Sequence, residues 1–155
     1  LGGKSFTKFN RYLIGDILSV TPAEIGFLAL VLLAVVLLSG STSDTRLSDT
    51  LVSYSRNDVS SARTAATQLS RTGGSYTTQL LGDMKQYLYG LDQINLLSQA
   101  LLGRQLYSQT TIDAAMTAIG QCETKTLAGQ AMDEPLAALW TQINALEQQA
   151  AALTN

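Results

Sequence analysis

Polar and apolar side chains are distributed unevenly along the chain, and the longest apolar run lies in its first quarter. No residue from Ile25 to Leu38 carries a polar side chain. Just before this run, Thr21 can act as a helix N-cap, Pro22 suits the first helical position, and Glu24 can bond back to the cap. A helix from Pro22 to Leu38 would be about 25 Å long, which is at the short end of a bilayer span. The pattern predicts a transmembrane helix over residues 21–40, with Glu24 as a capping residue or as an acid at the membrane interface.

The charges on either side of this segment predict its orientation. Three basic residues precede the run, whereas the first one after it is Arg46. Because basic residues stay on the cytoplasmic side, we expect a single-pass protein of an inner, cytoplasmic-type membrane with its N-terminus inside. Residues 1–20 are predicted to be a cytoplasmic tail with a short interfacial helix, since Phe9, Leu13 and Ile17 share one helical face.

The remainder of the chain, residues 41–155, is predicted to be a periplasmic or extracellular helical domain. Its apolar positions recur at helical spacing, and alternating strand patterns are nearly absent. The breaks divide it into four helices: one from Ser43 or Asp44 to Thr72-Gly73-Gly74, one ending at Gly103, one from Thr110 or Thr111 to near Gly129, and one opening with Asp133-Glu134-Pro135. The predicted fold is therefore all-α: one N-terminal transmembrane helix followed by an exported bundle of about four helices, or a helical hairpin that pairs with other subunits.

Two apolar stripes are the predicted interaction faces of these helices. The stripe on the second helix has alternating steps of four and three residues, and the stripe on the fourth follows a heptad pattern. Such faces pack against other helices, either of the same chain or of a neighbouring subunit. Their members are Leu80, Met84, Tyr87, Leu91 and Ile94 on the second helix, and Leu139, Ile143 and Leu146 on the fourth.

The composition excludes several kinds of site. The chain has no histidine and one cysteine, which rules out a Ser-His-Asp triad, a Cys-His dyad, a histidine or multi-cysteine zinc site, and an internal disulfide framework. A net charge of −2 argues against nucleic acid as a partner. We predict no catalytic, cofactor-binding or metal-binding residue and no cofactor. Cys122 lies on the apolar face of the third helix, so it is predicted to be buried, with an intermolecular disulfide as the alternative.

One short segment resembles a known family. Glu24 followed by the apolar run is similar to the N-terminal segment of type IV pilins, in which an acid near the mature N-terminus precedes a hydrophobic assembly helix. This resemblance covers only the acid and the run, and Phe6-Thr7, the pair that is similar to a pilin start, lies far upstream of Glu24. It implies a filament subunit.

These patterns together favour a protein that works through its neighbours. From Ser41 onward the chain is rich in Ser, Thr, Gln and Asn and poor in charge. We therefore expect a non-enzymatic single-pass membrane subunit with a structural, accessory or assembly role in a larger membrane complex. Its expected partners are membrane lipid and other membrane-protein subunits, or further copies of itself. The alternatives are an exported helical sensor or ligand-binding module and a pilin-like filament subunit.

Overall fold

The computed structural model of the protein describes residues 44–72, 74 and 76–153. Within these residues the chain forms four α-helices and no strand. The helices are α1 (Asp44–Arg71), α2 (Thr77–Leu102), α3 (Gln109–Leu127) and α4 (Asp133–Ala152). The predicted all-α fold with a four-helix bundle is therefore confirmed.

The four helices form an up-and-down bundle. Each helix packs against two others, in the cyclic order α1, α2, α3, α4 and back to α1. At one end of the α1–α4 pair, the Trp140 indole N–H donates to Ser70 Oγ at 3.1 Å. At the other end, Arg56 Nε donates to the Ala150 carbonyl at 3.1 Å. Early residues of α1 thus lie beside late residues of α4, so the two helices are antiparallel, as the first and last helices of an up-and-down bundle are.

Local capping groups fix where the helices begin and end. Gly103 closes α2 with φ 70°, in the left-handed region, and its N–H donates to the Gln99 carbonyl at 3.1 Å. Glycine suits this position because it has no Cβ to clash there. The Ser108 hydroxyl accepts from the Thr111 N–H, and α3 consequently begins at Gln109 rather than at Thr110 or Thr111 as predicted.

The predicted stripes of α2 and α4 form much of the bundle core. Leu80, Met84, Leu91 and Ile94 of α2, and Leu139, Ile143 and Leu146 of α4, are all buried. Tyr87 is only partly buried, at the seam between α1 and α2. The core side chains therefore contact other helices of the same chain.

The described residues include no helix that is both long enough and apolar enough to cross a membrane. The predicted cytoplasmic tail (1–20) and transmembrane helix (21–40), with Thr21 and Glu24, lie outside the described residues.

Candidate interaction surface

A buried asparagine fixes the connection between α2 and α3. Asn95 Oδ1 accepts from the N–H groups of Leu106 at 3.1 Å and Tyr107 at 3.0 Å, and Asn95 Nδ2 donates to the Tyr107 carbonyl at 2.9 Å. A second clamp is the Ser98 hydroxyl, which donates to the Arg104 carbonyl at 2.7 Å. These bonds satisfy backbone groups that would otherwise be buried without partners, and they hold residues 103–108 in one conformation.

The same connection is tied to α1 through Tyr107. Its hydroxyl shares a 2.8 Å hydrogen bond with Ser55 Oγ, and both residues are buried. Burial raises the pKa of Tyr107, and the nearby Asp58 carboxylate raises it further, whereas the Ser55 hydrogen bond and the Arg56 charge oppose this shift. The phenol therefore stays neutral and links three elements at one end of the bundle.

Asp58 is an acid placed between α1 and α2. A Cβ built at Gly90 of α2 would lie 2.7 Å from Asp58 Oδ2, so the absence of a side chain at position 90 makes room for the carboxylate. Among the described residues, no hydrogen bond or ion pair reaches this carboxylate. Burial without a compensating partner raises the pKa of Asp58 to about 6.

Most of the large apolar side chains that the bundle exposes belong to one pair of helices. Four of the five in the described part of the chain lie on α1, α2 or the turn between them, and the fifth is Leu127. We call these four the hairpin surface: Tyr54 (42% exposed), Tyr76 (63%), Tyr89 (47%) and Leu96 (56%). Tyr89 and Leu96 are two helical turns apart on the outward side of α2. Exposed positions on α3 and α4, such as Thr117 and Asn144, are mostly small or polar.

The seam between α1 and α2 also contains an open groove. Two adjoining depressions, of about 240 and 430 Å³, follow this seam toward Tyr76 and share Gln68, Leu80 and Asp83 in their walls. Hydroxyl groups of α1, including those of Ser61 and Thr64, line the first of them beside Tyr87. Both depressions are shallow and face solvent.

Among the residues that the structure describes, the two interhelical ion pairs lie on other seams of the bundle. Arg63 of α1 pairs with Glu147 of α4, and Lys85 of α2 pairs with Glu123 of α3 at 3.1 Å. Both pairs are partly exposed, so each contributes at most about 1 kcal/mol to stability. The seam between α1 and α2 carries acidic and hydroxyl groups instead.

The single cysteine lies where the sequence pattern places it, on the core side of α3. Cys122 has an exposed fraction of 0%, and burial is the main cause that raises the pKa of its thiol. A disulfide with another chain, the alternative considered above, would require α3 to move away from the core.

Sequence reasoning did not find the polar groups that define this site. Asn95 lies inside the apolar stripe of α2, beside Ile94. A polar residue at a predicted core position is a sequence feature that could have indicated a buried hydrogen-bonding side chain. Asp58 gives no such signal, because its contact with Gly90 depends on how α1 and α2 align. Apart from Tyr87, the residues that were predicted as interaction faces form the core, whereas the hairpin surface is built mainly from residues between those stripes.

The described ranges contain no group of three or more His, Cys, Asp or Glu residues placed to hold a metal ion. Comparisons of the chain with models of protein families, with curated proteins and with solved structures find no match in any of the three.

Proposed function

We propose that the protein is a non-enzymatic, single-pass membrane subunit with a structural, accessory or assembly role in a larger membrane complex. In this proposal residues 21–40 anchor the chain in the membrane, and the hairpin surface binds a neighbouring subunit. The observation that carries the proposal is the concentration of exposed tyrosine and leucine side chains on α1, α2 and their turn.

Tyrosine-rich surfaces of this kind are typical of protein interfaces. A tyrosine can bury its ring against a partner while its hydroxyl keeps a hydrogen bond, so it contributes strongly to binding. Leu96, more than half exposed on a helix that is otherwise well packed, adds apolar area that water solvates poorly. Burying such side chains stabilises a complex by about 25 cal/mol for each Å² of apolar surface.

The position of the bundle in the chain supports the same proposal. Only residues 39–43 separate the apolar run from α1, and a fully extended segment of that length spans roughly 20 Å. The bundle would therefore stay close to the membrane, with the hairpin surface within reach of the exported parts of neighbouring subunits. The low charge of the exported domain suits a surface that lies against protein more than against water.

Site-specific photo-crosslinking in native membranes tests this proposal. A photoreactive amino acid at Tyr89 or Leu96 is expected to give discrete adducts with one or a few membrane proteins. The matched control is the same amino acid at Thr117, an exposed position of α3, where we expect no discrete adduct.

The outcome that would contradict the proposal is equally specific. Equal crosslinking at the hairpin and control positions would show that the hairpin surface is not the interface. The proposed role in a complex would be contradicted if the full chain, purified in detergent, is monomeric and co-purifies with no other subunit. Adducts only between copies of this chain would favour the filament alternative.

A further inference from the structure

The contact between Asp58 and Gly90 combines two features that each cost stability. A glycine inside an α-helix costs roughly 1 kcal/mol relative to alanine, and α2 carries one, Gly90, beside the Asp58 side chain of α1. The space that this glycine leaves is occupied by a partly buried carboxylate with no hydrogen-bond partner among the described residues. The closed seam therefore stabilises the ionised form of this carboxyl group less than the neutral form.

The surrounding groups do not compensate the charge of the carboxylate. On α1, Arg56 donates instead to the Ala150 and Leu153 carbonyls at the end of α4. On α2 the contact is Gly90, with Tyr87 and Asp83 further along the seam. The connection between α2 and α3 supplies Tyr107, whose hydroxyl shares its hydrogen bond with Ser55.

On α4, the acid that faces α1 is Glu147, and it pairs with Arg63. Burial is the cause that changes the pKa of Asp58, and no charged neighbour offsets it.

We propose that Asp58 makes the seam between α1 and α2 a pH-responsive contact, closed when the carboxyl group is neutral and prone to local opening when it is ionised. The carboxylate is only partly buried, and water stabilises its ionised form, so opening the seam would expose the covered part of the group to more water. A neutral carboxyl group gains much less from contact with water, so it can remain against Gly90.

The direction of the pH effect follows from the two protonation equilibria. The carboxyl group titrates near 3.8 when solvated and at about 6 in the closed seam. The closed form therefore binds the extra proton between about pH 4 and pH 6, and its stability falls as the pH rises through that window. Above about pH 6 the carboxyl group is ionised in both forms, and the closed form then carries the full free-energy cost of a partly buried charge.

Hydrogen exchange of the full chain in mild detergent tests the proposal. After correction for intrinsic exchange rates, amides of residues 54–61 and 86–94 are expected to show an opening equilibrium about tenfold larger at pH 8 than at pH 5. Asp58→Asn, which is neutral at every pH, is expected to abolish this difference. Asp49→Asn is the matched control, because Asp49 is an exposed acid on the same helix, and it is expected to preserve the difference.

Two results would overturn the proposal. One is an unchanged pH response in Asp58→Asn, and the other is a wild-type chain whose seam amides exchange equally at both pH values. If the variant does not fold, the carboxyl carbon of Asp58 can be followed by NMR in the wild-type protein. A titration midpoint near 4 instead of 6 would then refute the proposal without any substitution.

Discussion

At the scale of single residues, Asn95 is the buried side chain with the most hydrogen bonds to backbone groups in the described part of the chain. Its amide group bonds to three backbone groups of the connection between α2 and α3, and it has no exposed surface. An isolated hydrogen bond contributes only about 1 kcal/mol, but a buried group left without a partner costs about 1–3 kcal/mol. The residue therefore matters mainly through the groups that its removal would leave unsatisfied.

We expect Asn95→Ala to destabilise the bundle by about 3 kcal/mol or more, since two N–H groups and one carbonyl lose their partner together. The measurement is the free energy of unfolding from urea titration, followed by circular dichroism of the full chain in detergent. Asn144→Ala, at an exposed position of α4, is the control and is expected to change stability by less than about 0.5 kcal/mol. Similar losses for both variants would show that the Asn95 bonds contribute little.

Some residue-scale features could be predicted from the sequence and others could not. Cys122 was predicted to be buried because its spacing from Met116 and Ile119 is helical, and local spacing is enough for that inference. The contact of Asp58 with Gly90 joins residues that are far apart in the sequence, and it depends on the register between two helices. No pattern within either helix specifies that register.

At the scale of helices, the connecting segments determine where each element ends. The sequence located all four helices because their apolar positions repeat with the helical period and because glycines mark the breaks. The start of α3 was displaced by one or two residues. Its cap is the Ser108 hydroxyl, and the predicted start used threonines that lie within the first turn.

Two of the glycines in the α2 region, Gly82 and Gly103, allow a prediction with opposite signs. Gly103→Ala is expected to destabilise the protein by about 1 kcal/mol, because φ at this position is 70°. Gly82→Ala is expected to stabilise it by up to about 1 kcal/mol, because Gly82 lies inside α2 and a Cβ there meets no atom within 4 Å. The measurement is the free energy of unfolding of each variant relative to the wild-type protein. A change of the same sign in both variants would contradict the role of Gly103 as a left-handed cap.

At the scale of the whole molecule, the polar contacts that stabilise the bundle and its exposed large apolar side chains lie at different places on its surface. The fixed connection at residues 103–108 and both interhelical ion pairs stabilise the bundle, whereas α1 and α2 expose tyrosines and leucine beside an unpaired acid. This asymmetry was not predictable from the sequence. Apolar stripes show which residues form a core, but the exposure of Tyr89 or Leu96 depends on how wide a face the neighbouring helices cover.

The buried cysteine makes the proposed membrane orientation directly measurable. Cys122 has no exposed surface, and its thiol pKa is raised, so it should react slowly with a maleimide and give little background. We expect Asn144→Cys to be labelled by a membrane-impermeant maleimide in intact cells, because the proposed orientation places α4 in an exported domain. Ser5→Cys, in the predicted cytoplasmic tail, should be labelled only after permeabilisation, since basic residues hold that end inside. Labelling of Ser5→Cys before permeabilisation, with protection of Asn144→Cys, would reverse the orientation and place the hairpin surface among cytoplasmic partners.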